Sequence, residues 1–576
     1  MRRPLLWAAF GIALVPLIWQ SVVMLREGFF WQDDFRYVAR AVEAPLSTLF
    51  DDYNGHLMPG QFLLVWLVTA IAPLNFTVAA LPVLALYGLA MWMFWRLLVR
   101  LFGARWELLA PFAAFTFSPL ILVSTRWWAF ALQLIPLLVA MIGAIDAQVR
   151  YVRTGKGLWA GLLWVFAGVL FWQKALVIVP VLVAVTALLS PEPGRLRWAF
   201  RTHWRSLTAH IALMLALGIG YALLSAGNVA AERSAAHEWV RLTARMIADT
   251  FLPGVLGGPW SVGIDGATAW SVPPLPVRII TWVLAAVIIG VGLRFGRDRA
   301  GLAWLTLAGY LALAVAAVGV ARLSFIGEVI GGDPRYVADA VPVAILCACF
   351  AFLPLDQPSA EVLTKKHVAL AAGVALLLAG SVATTVTATQ RTDQQTARAY
   401  AQTLAQSLRD NTGVVVYDRP VPLELMSIWF GRNANVSELV RTMHGQGVRF
   451  DEPSDDMRIV DDQGRLRPLN VFPLAEGPQG PTPECGYLIG PNPVEIPLSK
   501  PVGSPRQVLR IGYFTGATGT GVLRVGDQQI PIRWESGVHN LHVVVENPFD
   551  KITLWSTQIP KGVCVGNIVA GAPMPG

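Results

Sequence analysis

Residues 61–73 read Gln61-Phe-Leu-Leu-Val-Trp-Leu-Val-Thr-Ala-Ile-Ala-Pro73, an apolar run between polar neighbours and a proline. A helix that crosses a bilayer needs about 20 mostly apolar residues, so a run of about 13 is too short to cross. The chain on both sides tests that reading. Runs of spanning character lie near 5–24, 77–95, 107–123, 129–148, 158–171, 175–190, 207–225, 276–293, 300–320, 338–355 and 367–389. With 61–73 held as a re-entrant or interfacial helix, these predict eleven spans. Five basic clusters then share the side of Arg2 and Arg3: Arg96/Arg100/Arg105, Arg150/Arg153/Lys156, Arg195/Arg197/Arg201/Arg205, Arg294/Arg297/Arg299 and Lys365/Lys366. Cytoplasmic loops carry such an excess. Counting 61–73 as a crossing would put all five outside. No small-residue cleavage site follows the first run, which therefore reads as an anchor.

Composition agrees. Of the 576 residues 55% are hydrophobic and 14% charged, and mean hydropathy is +0.53. Soluble domains carry about 25% charged residues. The formal net charge of +8 gathers in short clusters between apolar runs, which speaks against nucleic acid as a partner and for a lipid bilayer. The expected location is the cytoplasmic (plasma) membrane, multi-pass, with the N-terminus cytoplasmic.

An odd number of spans leaves everything after about residue 390 extracytoplasmic. Three segments are expected. The first, 1–390, is an all-α polytopic membrane bundle with outer loops at 25–76 and 226–275. The second, 391–472, is an extracytoplasmic α/β segment. The third, 473–576, is a β-sandwich, jelly-roll-like, whose runs at 507–514, 521–525, 529–534, 540–546, 551–556 and 563–569 alternate between turn residues. Residues 473–505, rich in Pro and Gly, read as a linker or extended cover. Cys485 and Cys564 are the two cysteines of the tail; an outer compartment permits a disulfide between them, the alternative being two thiols.

The first outer loop carries the chemistry: Phe30-Trp31-Gln32-Asp33-Asp34-Phe35-Arg36-Tyr37, then Asp51-Asp52-Tyr53-Asn54-Gly55-His56-Leu57-Met58-Pro59. A carboxylate pair at a membrane edge is costly unless paired, hydrated or metal-bound. Such a carboxylate can take the proton of an acceptor hydroxyl as a donor group departs. Adjacent residues do not share a helix face, so one of Asp33 and Asp34 is the expected base and the other a group that supports it or binds a metal. The bland reading of the pair is a solvated helix cap.

These residues, in this order and on this side, resemble the GT-C glycosyltransferases, integral membrane enzymes that take a sugar from a polyprenyl-phosphate carrier. The resemblance covers the architecture of about residues 1–390 but only short motifs. It implies an inverting transfer to an envelope glycan or other extracytoplasmic acceptor, with Asp33 or Asp34 as base. His56-Leu-Met-Pro59 is similar to the family's His-x-Pro segment with one residue more. The tail, with Val421-Pro-Leu-Glu424 and Val563-Cys-Val565, resembles those of actinobacterial membrane proteins.

Further outer positions fit a phosphate-bearing donor. Lys174, in Phe171-Trp-Gln-Lys174, stands at a hairpin tip as a point charge, or snorkels to the interface. Arg126, in Ser124-Thr-Arg-Trp-Trp128, lies at an outer helix end beside Trp127 and Trp128, which suit an aromatic belt. Asp333, Arg335 and Tyr336, in Gly332-Asp-Pro-Arg-Tyr336, precede the tenth run, where an arginine can grip a phosphate; the alternative is a weak Asp333–Arg335 surface pair. No cofactor is expected. A divalent metal on the carboxylates and donor phosphate is compatible with this chemistry but not required. Nucleotide-binding, zinc and serine-hydrolase signatures are absent from the sequence. The competing class is a non-enzymatic glycan-binding scaffold or a transporter of an envelope precursor. Convergence of Asp33, His56, Lys174 and Arg335 on one cavity would favour the enzyme, and scattered positions the scaffold.

Overall fold

The computed structural model describes residues 3–43, 46–225, 234–258, 261–265, 268–357, 365–389, 394–443, 447–503 and 506–576. It divides into two compact units, Met1–Gln395 and Thr396–Gly576. The boundary expected at 390/391 lies outside the described residues.

The first unit is helical, and it is a multi-pass membrane bundle. Among the described residues eight helices are long and apolar enough to cross a membrane. Three of the eleven expected spans are shorter: Leu158–Phe171, Gln173–Leu188 and Ala340–Phe352. A count of eleven therefore requires these three to cross, and by length alone they fall short of the roughly 20 residues needed. Pro59–Ile71 is likewise a short apolar helix. The span Trp128–Thr154 is the most enclosed, buried over nearly all of its length from Trp128 to Val149. Ala and Gly along it let neighbours close in: a Cβ at Gly143 would stand 2.5 Å from the Trp164 ring.

The second unit contains two sheets that share a core, with a further buried cluster around Val415, Ile459 and Val508. One has the strand order Gln528–Trp534, Gly519–Val525, Phe549–Trp555, Val494–Val502. The other runs Gly537–Val545, Gln507–Thr515, Val563–Pro575, Leu466–Glu476, Met457–Val460, Val415–Tyr417, Arg449–Phe450, with Tyr487–Ile489 beside Val563–Pro575. Strand alternation builds the core: Ile530, Ile532 and Trp534 point inward while Gln529, Pro531 and Arg533 face out. They meet Leu509, Ile511 and Val565 of the opposite sheet.

Two expectations need correction here. The boundary at 472/473 falls inside Leu466–Glu476, whose pairing with Val563–Pro575 ties the α/β segment to the sandwich. The supposed linker 473–505 supplies Tyr487–Ile489 and Val494–Val502. Val494–Val502 contains Pro497 and Pro501, and as an edge strand it tolerates their missing N–H groups. Cys485 and Cys564 are joined by a disulfide.

Candidate active site

Asp33 opens the helix Asp33–Glu43. Gln32 turns the chain into it with a left-handed φ of 54°, a conformation that costs a non-glycine residue and concentrates at functional sites. Residues four apart share a helix face, so Asp33 and Tyr37 look together into a cavity of about 380 Å³. Asp34 faces elsewhere. Its Oδ1 accepts from the backbone N–H of Ala129 at 2.7 Å, and its Oδ2 from that of Trp31 at 2.9 Å. With no exposed surface, it caps the N-terminus of Trp128–Thr154 from another element, where the helix dipole favours negative charge. The bland reading of the acidic pair thus fits Asp34 as a buried cap, not a solvated one.

The second wall comes from a tight turn. Tyr53 and His56 exchange backbone hydrogen bonds of 2.9 and 3.0 Å, and Asn54 and Gly55 between them have φ of 52° and 79°. Positive φ at both central positions is what an Asn-Gly turn supplies. Asp52 Oδ1 accepts from Gly55 N at 2.7 Å, and Tyr221 donates to the Gly55 carbonyl. The turn presents Tyr53, Asn54 and His56 to the cavity.

Arg322 Nη2 lies 3.2 Å from His56 Nε2. A guanidinium only donates, so Nε2 is the acceptor and Nδ1 carries the proton. Gln173, in contact with Nδ1, then presents its amide oxygen, an assignment made from the network. Burial, together with the Arg322 charge, lowers His56 to about 4. The imidazole is therefore neutral near pH 7. Burial pushes the Asp33 carboxyl the other way, up to about 6, against the pull of Arg335, Arg36 and Arg322.

Arg335 and Tyr336 also line the cavity. Asp333 accepts from Arg335 N at 3.0 Å and Nε at 2.7 Å, and its side chain is 1% exposed. The pair is built into the protein, not solvated at its surface. Arg335 also lies 4.3 Å over the Trp127 ring. Asp333 itself does not reach the cavity; it orients Arg335. Lys174 reaches it, but its Nζ is bound to Asp339 Oδ1 at 2.6 Å and the Tyr336 carbonyl at 2.9 Å. Tyr310 donates to the other Asp339 oxygen at 2.6 Å. Lys174 is thus an internal ion-pair member, neither a free point charge nor a snorkelling side chain. Arg126 lies off the cavity lining and is 5% exposed. Burial lowers its guanidinium to about 10 while Glu27 supports its charge. Trp128 is buried, its Nε1 donating to Ala79 O at 2.8 Å, so it is a core residue and not a belt residue.

Asp33, His56, Lys174, Arg335 and Tyr336 therefore converge, and Asp34, Arg126 and Asp333 stand behind or away from them. No family model matches the chain, and no curated protein matches it. Among solved structures, the chain is similar to ArnT from Cupriavidus metallidurans bound to undecaprenyl phosphate. That likeness has 14% identity and a TM-score of 0.43 over 80% of this chain and 94% of that one. It is also similar to the arabinofuranosyltransferase AftD from Mycobacteria, with 11% identity and a TM-score of 0.41 over all of this chain and 58% of that one. Likenesses this distant carry no weight for either fold or chemistry, which rest on the geometry.

Arg322, Tyr53 and Gln173 complete the cavity without having been singled out by sequence. Among the described residues Arg322 has no carboxylate partner, unlike Lys174 and Arg335. Leu176, Val177, Ala317, Val318 and Ala321 add apolar lining. Asp33 is the carboxylate among the residues lining the cavity, and the other charged side chains there are Lys174, Arg322 and Arg335. No group of three or more His, Cys, Asp or Glu that could hold a metal occurs among the described residues.

Proposed function

We propose that this cavity transfers a sugar from a polyprenyl-phosphate donor to an extracytoplasmic hydroxyl acceptor, with inversion, as the GT-C resemblance implies. The reading is carried by one observation: a partly buried carboxylate and a guanidinium that has no carboxylate partner among the described residues share a cavity with apolar lining. Asp33 takes the acceptor proton, and the acceptor oxygen attacks the anomeric carbon. The bond from that carbon to the phosphate oxygen breaks, and the polyprenyl phosphate leaves with its bonding electrons. Arg322 and Arg335 hold the phosphate as its charge grows, and the prenyl chain runs along Leu176, Val318 and Ala321. His56, neutral, orients Arg322 and accepts no proton. The N-terminus inside and the tail outside belong to this reading, because the acceptor arrives from the aqueous side.

The test is transfer from a panel of polyprenyl-phosphate monosaccharides in proteoliposomes. Product formation that requires Asp33 supports the reading, and binding of glycan without turnover supports the scaffold.

Two expected outcomes belong here. The base works ionised, so kcat/KM rises about tenfold per pH unit below about 6 and levels off above it. His56, at about 4, adds no further limb in that range. Arg322→Gln raises the donor KM about 10- to 100-fold, the loss of one charge-assisted contact of about 1.5–3 kcal/mol. Because Arg322 pulls the Asp33 pKa down, the same variant moves the acid limb to higher pH. An unmoved limb would separate Arg322 from Asp33.

A further inference from the structure

A second cavity lies toward the other end of one helix that lines the first. The helix Trp128–Thr154 contributes Gln133 to the first cavity and Asp146 to this one, a separation of about 20 Å along its axis at 1.5 Å per residue. The new cavity measures about 220 Å³. Trp92 and Arg96 reach it from one face of Phe76–Phe102, Gly143, Asp146 and Arg150 from one face of Trp128–Thr154, and Trp164 from Leu158–Phe171. The spacings of three and four residues put each set on a single stripe.

Its charges do not balance. Asp146 Oδ2 is 2.8 Å from Arg100, 3.5 Å from Arg150 and 3.7 Å from Arg96. None of these arginines has another carboxylate among the described residues. One carboxylate thus faces three guanidinium groups. Asp146 Oδ1 and Arg150 Nε, both buried, make no hydrogen bond. Arg150 Nε still has Asp146 Oδ2 at 3.5 Å as an ion-pair partner, so Asp146 Oδ1 is the buried polar atom left without one, a costly state. Arg96 and Arg150 are 44% and 42% exposed at the side chain, and Trp92 is 54% exposed. The mouth therefore lies on the bundle's outer surface, with an arginine edge and an indole edge.

We propose that this cavity binds the headgroup of an anionic glycerophospholipid. The phosphodiester lies on Arg96 and Arg150, a headgroup hydroxyl donates to Asp146 Oδ1, and the first acyl carbons lie along Trp92 and Trp164. Basic pockets between membrane helices, on the side where the arginine clusters gather, hold such headgroups. A phosphodiester answers the excess positive charge, and a headgroup donor answers Asp146 Oδ1; a choline headgroup supplies no such donor.

The test is native mass spectrometry of the full chain with phosphatidylglycerol and phosphatidylcholine of identical acyl chains, with inorganic phosphate as competitor. Phosphatidylglycerol is expected to be retained about tenfold or more over phosphatidylcholine, given about 1.5–3 kcal/mol for a hydrogen bond to a charged group. Arg96→Gln and Arg150→Gln should each weaken retention of phosphatidylglycerol, because each removes a contact to its phosphodiester. The Arg100 bond to Asp146 survives in both variants, and unchanged unfolding temperatures check it. If either variant fails to fold, Trp92→Ala, on the exposed lip, should weaken retention of phosphatidylglycerol. Equal retention of the two lipids, or retention of phosphatidylglycerol untouched by every variant that folds, would overturn the proposal. Displacement by millimolar phosphate irrespective of the acyl chains would also overturn it, in favour of a soluble anion.

Discussion

Asp33→Asn is expected to slow sugar transfer by about 10²- to 10⁴-fold, the usual span for losing a general base, while the protein stays folded. Asn keeps the size of the side chain at the head of Asp33–Glu43 and removes only its ability to take a proton. The carboxylate is carried at an energetic disadvantage: burial raises it to about 6. A folded-state pKa above the unfolded value means that the native state holds the proton more tightly. Asp33 therefore favours folding most below about pH 4, and that contribution is lost as pH rises through about 6. At neutral pH the Asn variant should be as stable as the parent or more so. Asp34→Ala should do the reverse. It strands the buried N–H groups of Trp31 and Ala129, at about 1–3 kcal/mol each. Measured in one detergent by thermal unfolding and in proteoliposomes by turnover, the two variants separate a base from a cap. Full activity in Asp33→Asn would remove Asp33 from the chemistry.

The second large effect concerns Lys174. Its Nζ and the Asp339 carboxylate form a pair with 7% and 0% side-chain exposure. Breaking a buried pair from one side leaves a charge without its partner and costs about 3–5 kcal/mol, whereas removing both charges is often neutral. Lys174→Met alone is therefore expected to lower stability by that amount. Lys174→Met with Asp339→Asn should recover most of it, because Asn can still accept from Tyr310. If Lys174 served instead as a free phosphate ligand, the single variant would raise the donor KM and leave unfolding unchanged. A double-mutant cycle with unfolding and donor KM as separate readouts decides between them.

These contrasts trace what the residues announce. The membrane bundle was legible because apolar runs near 20 residues are hard to hide, and the tail strands because alternation such as Ile530, Ile532, Trp534 is a local signal. The division of labour between Asp33 and Asp34 was half legible: helical geometry requires that neighbours part company, but the Ala129 N–H that claims Asp34 lies 95 residues away. Asn54-Gly55 carried a turn signal that announces how Tyr53 and His56 meet. Arg322 was hidden, since it sits two residues beyond an apolar run and its role depends on His56, 266 residues distant. Lys174 looked like a free cation because its partner, Asp339, lies 165 residues along the chain. Val494–Val502 was missed because its prolines are tolerated only at a sheet edge, and sequence alone does not say which strand is the edge.

The central claim is that the Asp33 cavity takes a lipid-linked sugar. Its most direct test is mass spectrometry of the lipids that copurify with Asp33→Asn, a variant that should bind donor and not consume it. A polyprenyl-phosphate sugar is expected on Asp33→Asn and should be lost when Arg322→Gln is added. Finding no polyprenyl-phosphate lipid on Asp33→Asn, or finding it retained equally without Arg322, would contradict the account.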